Sequence, residues 1–209
     1  MKVEDGALAV RVASIDDAAA LAALVNSAYR GDGSRAGWTT EADLLGGQRT
    51  DPQALEEFIE RTTAVGDRAM LVHEPAGRII ACVQLERRGD GAYLGMLTIA
   101  PTLQAKGLGR RLLAAAEDFV RTEWQVRRVT MTVIEQRLEL IDWYQRRGYA
   151  RTGETAAFPY GDPRFGEPKR ADRRRNRRRD AALRCETSTG ARPNPRRARA
   201  SRTASVAAR

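Results

Sequence analysis

The chain has two cysteines and one histidine among 209 residues, too few for a disulfide framework or a His/Cys metal cluster. Cys82 lies in an apolar run and reads as a small buried side chain, whereas Cys185 lies in a basic segment. No apolar run approaches membrane-spanning length, and the start Met1-Lys-Val-Glu-Asp-Gly6 has no apolar leader region. No membrane association and a reducing, cytoplasmic setting are the expectations. Two nucleotide signatures are missing as well. No Gly-x-x-x-x-Gly-Lys-Ser/Thr occurs, so the common triphosphate-binding loop is excluded. Gly107-Leu-Gly109 is followed by Leu112 where a dinucleotide fingerprint needs its third glycine.

Net charge says less than its total suggests. Lys and Arg number 36 against 27 Asp and Glu, a formal +9, yet residues 169–209 alone hold 15 basic and 3 acidic side chains. Residues 1–168 keep the remaining 21 and 24, a net of −3. The part with core-forming composition is therefore mildly acidic. The basic segment could hold RNA, DNA or another polyanion by counterion release, but without interleaved aromatics it has no means of reading sequence.

What is present centres on Ala92–Arg110. An apolar run ending Leu97-Thr98-Ile99 is stopped by Pro101, and a turn Gln104-Ala105-Lys106-Gly107-Leu108-Gly109 follows. Leu108, Leu112, Leu113, Ala116, Phe119 and Val120 then recur at helical spacing. Strand, glycine-rich turn and helix form an anion-binding arrangement, because the first N–H groups of a helix have no internal partner and carry the positive end of its dipole. Glycine at 107 and 109 lets an anion approach the backbone, and Arg110 adds charge at the helix mouth.

With Leu97-x-Ile99-x-Pro101 before it, Gln104-x-x-Gly107-x-Gly109 resembles the acetyl-CoA motif of the GNAT-type N-acetyltransferases. In that family the turn and helix start hold the pyrophosphate and the strand pairs with the pantetheine arm. The resemblance implies cofactor contacts from Leu97, Thr98, Ile99 and Gln104 to Arg110, no metal, and acetyl-CoA as co-substrate. A second motif supports it. Tyr144 stands four residues before Gly148-Tyr149, as in the family's closing helix, where such a tyrosine protonates the departing thiolate. A phenol of pKa near ~10 suits that task; the plainer alternative is that Tyr144 packs its helix on the sheet. Many relatives carry an Asn seven residues earlier, where this chain has Arg137; either backbone contacts replace it or Arg137 reaches a CoA phosphate.

The element order fits the same family: strand (7–13), helix from Ser14 to about Arg30, a loop through Trp38, a helix from Asp51-Pro52 to Gly66, then three strands joined by turns at 75–78 and 88–91. The helix after Gly107, a strand over 127–134 and a short helix over 138–147 follow. The expected fold is α/β (α+β), a mixed, mostly antiparallel sheet flanked by helices, spanning residues 1–168. By the same resemblance the acceptor site draws on the segment between the first two helices, with Trp38 as an aromatic wall and Glu41 attracting a cationic amine. The loop containing them could equally be ordinary surface. No base is assigned: Glu86, His73, Glu41 and Asp43 are the candidates, and a water chain needs none.

The family's final strand should follow, but residues 169–209 contain Leu183 and Val206 as their only large aliphatics. A segment so poor in apolar area is expected to be disordered. A change of reading frame between Lys169 and Arg173 would explain the abrupt shift, leaving the 127–134 strand as a bare edge. The reading is an enzyme that moves acetyl from acetyl-CoA to a small amine or peptide N-terminus by direct attack. A non-catalytic acyl-CoA-binding domain and a polyanion binder led by the tail are the alternatives.

Overall fold

A computed structural model describes residues 8–157, 167–168 and 179–186. Its elements in chain order are β1 (Arg11–Val12), α1 (Ala18–Tyr29), β2 (Leu45–Gly46), α2 (Pro52–Val65), β3 (Arg68–His73), β4 (Ala81–Arg88) and β5 (Gly91–Ile99). They continue with α3 (Leu108–Thr122), β6 (Arg128–Ile134), α4 (Leu138–Gln145), β7 (Ala150–Ala157), β8 (Glu167–Pro168) and β9 (Arg179–Glu186). The main sheet has the order β1-β3-β4-β5-β6-β9-β7, with β2 and β8 pairing separately. All main-sheet ladders are antiparallel except β5–β6, which the α3 crossover makes parallel. The expected fold class is observed.

Local signals account for the helix ends. Ser14 and Asp17 form a capping box ahead of α1, Asp51 accepts from the Ala54 N–H with Pro52 at the first turn of α2, and Gly66 closes α2 at φ +72°. Both faces of the sheet are covered. Leu71, Val83 and Leu85 pack with Leu112, Leu113, Ala116 and Val120 of α3, while Met70, Val72 and Cys82 pack with Leu21, Val25, Leu55 and Ile59 of α1 and α2. That is why β3 reads as an uninterrupted apolar run rather than an alternation.

One expectation is overturned. The final strand exists: Arg179–Glu186 inserts between β6 and β7, with Leu183 opposite Met131 on one side and Arg151 on the other. Leu183 is fully buried, Cys185 half-buried and Arg184 exposed, so period-two alternation survives in an arginine-rich segment. A strand hydrogen-bonded on both sides needs few bulky side chains, and counting aliphatics alone misses it. The β6 strand is therefore not a bare edge, and a frame change is not needed to explain a missing strand. Residues 169–178 and 187–209, where disorder is expected from composition, lie outside the described residues.

Candidate active site

The site forms where β5 and β6 separate. Their pairing covers only Gly91–Tyr93 against Arg128–Thr130, so from Leu94 onward β5 has no strand on that side. A bulge sharpens the divergence: between Thr98↔Cys82 and Gly95↔Gln84, two β5 residues face one of β4. Met96 takes φ +44° there, a left-handed conformation unusual for its side chain, and the Thr98 hydroxyl braces it by donating to the Met96 carbonyl at 2.9 Å. On the other side of the bulge, Tyr29 donates its hydroxyl to the Leu97 carbonyl at 3.1 Å.

Two cavities flank this divergence. The larger, about 470 Å³, runs from Leu97–Ile99 to the α3 mouth at Gly107, Gly109 and Arg110, with Trp143 and Tyr144 on the far wall. The smaller, about 120 Å³, lies between β5 and β6 and is bordered by Tyr93, Gly95, Thr132, Arg30, Glu41 and Arg49 among others. Tyr29, Leu97, Arg137, Leu140 and Tyr144 border both. Across the gap, the Tyr93 and Thr132 hydroxyls lie 2.8 Å apart.

The turn is built as the α3 start requires. Gly107 is left-handed at φ +84°, and a Cβ placed on it would meet nothing within 4 Å, so the space before the helix is open. The first intrahelical bond there is from the Arg111 N–H to the Gly107 carbonyl. Gly107, Gly109 and Arg110, at the start of α3, border that end of the larger cavity. Gly109 sits where a Cβ would touch the Trp143 ring at 3.5 Å, fixing α3 against α4. Gln104 borders the larger cavity and also ties the turn down. Its amide donates to the Ile99 carbonyl at 3.1 Å and accepts the Trp38 N–H at 3.1 Å, tying the turn to β5 and to the loop after α1. Ala105 borders the larger cavity at φ +60°, Leu108 is half-buried, and Lys106 is exposed outside the lining.

Tyr144 is 5% exposed and packed edge-on against Trp143 and Tyr149, with ring centroids 4.9 and 5.6 Å away. Burial pushes its hydroxyl above the ordinary phenol value, and Tyr29 adds to the rise. Its proton is therefore held across the whole neutral range.

The acceptor-side residues depart from expectation. Glu41 is 7% exposed, and both of its oxygens are engaged, Oε2 by Arg30 at 2.5 Å and Oε1 by Arg137 at 3.0 Å. It borders the smaller cavity as a neutralised carboxylate, not as bait for an ammonium. Arg137 turns inward to Glu41 and the Thr39 hydroxyl, so it does not reach toward a phosphate at the α3 mouth. Trp38 lines the larger cavity, 6.4 Å from Trp143, and not the smaller one. Of the proposed bases, His73 bonds the Ala9 carbonyl, Glu86 bonds Gln84 and Arg88, and Asp43 bonds Arg35, all outside both cavities. Arg30 and Arg49 have no sequence signal; only the fold brings them here.

Residues 39–159 match the family model described as the acetyltransferase (GNAT) domain. The chain belongs to the GNAT acetyltransferase family. Among similar proteins is the S-(2-succino)cysteine N-acetyltransferase of Bacillus subtilis (strain 168), 31% identical over 98 residues. That match covers 43% of this chain and 59% of the relative, so the chain spans about three fifths of the curated relative's length. The GNAT fold is shared with yncA of Salmonella typhimurium, whose structure holds its cofactor acetyl-CoA: 19% identity, TM-score 0.59, covering 91% of this chain and 99% of that one. A spermidine N-acetyltransferase of Vibrio cholerae is similar in fold at 16% identity and TM-score 0.60, over 86% and 94% of the two chains. Among the described residues no group of His, Cys, Asp and Glu could hold a metal ion, and no helix is long and apolar enough to cross a membrane.

Proposed function

We propose that this GNAT domain transfers acetyl from acetyl-CoA to a primary amine by direct attack, with Tyr144 as the acid. The observation that carries this reading is that one wall, containing Leu97 and Tyr144, divides two cavities. A thioester lying along β5 in the larger cavity would meet an amine arriving through the smaller one at that wall. The open α3 mouth with left-handed Gly107 fits a pyrophosphate.

In this reading the amine nitrogen attacks the thioester carbonyl carbon, and free backbone N–H groups of the separated β5 edge hold the developing oxyanion. The C–S bond then breaks. The thiolate takes the Tyr144 proton, the amine loses its extra proton to water in the smaller cavity, and Tyr144 is reprotonated from solvent. A buried phenol with a raised pKa stays protonated until a thiolate forms beside it in the same low-dielectric wall.

Acetyl-CoA titration and a thiol-release assay with a panel of primary amines test the proposal. Tyr144→Phe is expected to lower kcat on the order of 10²-fold while acetyl-CoA affinity stays within about twofold. An unchanged rate removes Tyr144 from the mechanism. Binding of acetyl-CoA with no amine turned over would make this a non-catalytic acyl-CoA-binding domain.

A further inference from the structure

The glycine at 37 is required by space and not by its backbone. Its φ is an ordinary −87°, yet a Cβ there would stand 2.3 Å from the Gln104 side-chain oxygen. That close approach lets the same oxygen accept the Trp38 N–H, while the Gln104 amide nitrogen donates to the Ile99 carbonyl. On the other flank, the Thr39 hydroxyl accepts from Arg137 and donates to Glu139 Oε1 at 3.3 Å, at the start of α4. Residues 37–39 thus form a strap bonded both to the turn before α3 and to α4. Gln104 and Arg137, its two anchors, border the larger cavity, and so do Trp38 and Thr39. The far wall is held by its own contacts: Trp143 carries the Arg147 guanidinium 3.5 Å from its ring centre and meets Tyr144 edge-on. Trp38 lies 6.4 Å from Trp143 at a tilt of 32°, and is 41% exposed.

We propose that Trp38 is a contact for the acyl donor, its ring covering the pantetheine arm of acetyl-CoA, and that Gln104 is the positioning residue that holds it there. The inference rests on the acetyltransferase reading above, in which the larger cavity takes acetyl-CoA. The occupant follows from continuity. Trp38 borders one cavity with Leu97, Ile99, Gly107 and Tyr144, and it does not border the smaller one through which the amine arrives. The arm is an uncharged chain of methylenes and amides, which gains by burying its apolar length against a large aromatic face. An indole supplies that face at little cost in side-chain freedom when its backbone is already tied on both flanks. Trp38 therefore serves the donor, although its place in the loop after α1 suggests a wall for the acceptor.

Calorimetric titration of the full chain tests this with acetyl-CoA and, by displacement, with 3′-phospho-ADP, the same nucleotide without the arm. Trp38→Ala should weaken acetyl-CoA binding about tenfold and leave the nucleotide within about twofold. Gly37→Ala keeps the indole but drives the Gln104 amide out of its place, and should lose nearly as much. Should that variant fail to fold, Gln104→Ala removes the same clamp without adding an atom. Either clamp variant combined with Trp38→Ala should be no weaker than Trp38→Ala alone, because the clamp acts through the ring. Unaltered acetyl-CoA affinity in Trp38→Ala, equal losses for both ligands, or additive losses in the double variant each overturn the inference. So does a raised KM for the amine with acetyl-CoA affinity intact, which would return Trp38 to the acceptor. If the unsubstituted protein does not bind acetyl-CoA, the acetyltransferase reading falls and this inference with it.

Discussion

The two cavities beside Leu97 and Tyr144 are made in different ways. The larger takes its shape from backbone: a strand edge freed by divergence, a bulge at Met96, a left-handed glycine and an open helix start. The smaller takes its character from side chains brought together from α1, the loop after it, and the α4 start. Backbone can present the same N–H groups whatever the neighbouring side chains, so a groove built from it suits a constant ligand. A pocket built from side chains can change its preference by single substitutions. Within one domain, the shared reagent and the variable one would thus be handled by different kinds of construction.

Substitutions aimed at each construction should separate them. Glu41→Ala leaves two buried guanidiniums without their shared carboxylate. It should cost about 3–5 kcal/mol of folding free energy, read by urea unfolding, while acetyl-CoA affinity of the folded fraction changes little. Gly107→Val acts on the other side. Forcing a β-branched residue to φ +84° should cost about 1–2 kcal/mol and weaken acetyl-CoA binding roughly tenfold, with the acceptor preference unchanged. Equal losses at both sites in either variant would mean the two cavities are one mechanical unit.

The smallest effect concerns Cys82, which faces Thr98 across the β4–β5 ladder. Burial pushes its thiol up to about 12 from an ordinary 9.0, against a weaker lowering by Thr98. Below pH 9 the thiol is protonated in both folded and unfolded chains, so nothing is lost. Above it only the unfolded thiol ionises, and stability falls as pH rises toward 12. From pH 8 to 10 the loss should be about 1.4 kcal/mol, and Cys82→Ala should remove that slope. An unaltered slope would assign the alkaline loss to other groups.

Legibility in the sequence follows the same division. Ser14 with Asp17, Asp51-Pro52, Gly66 and Gly107 each encode a backbone requirement within a few residues, so the larger cavity and its surrounding elements could be anticipated. The Glu41–Arg137 pair joins residues 96 positions apart, and Arg30 joins it from a helix end. Nothing local in those segments announces an ion pair, and so Glu41 looks like a free carboxylate and Arg137 like a phosphate ligand. Met96 gives no warning of its positive φ, because the bulge imposes it from the β4 register. The β9 strand is hidden for another reason: its ladder bonds come from backbone, and an Arg-rich composition obscures the alternation of Leu183, Arg184 and Cys185.

The place of β9 also sets a schedule for the newborn chain. β6 ends at Ile134 and β9 begins at Arg179, with 44 residues between them. At translation rates of about 5–20 residues per second, β6 waits roughly 2–9 s on the ribosome before its neighbour has been made. β7, synthesised in that interval, cannot take the position without displacing the order β6-β9-β7. Until Glu186 has left the exit tunnel, both strands offer unpaired edges to any other extended chain nearby. Docking of β9 therefore follows the synthesis of every other main-sheet strand, and the half of the sheet carrying Thr132 is completed after the half carrying β3 and β4.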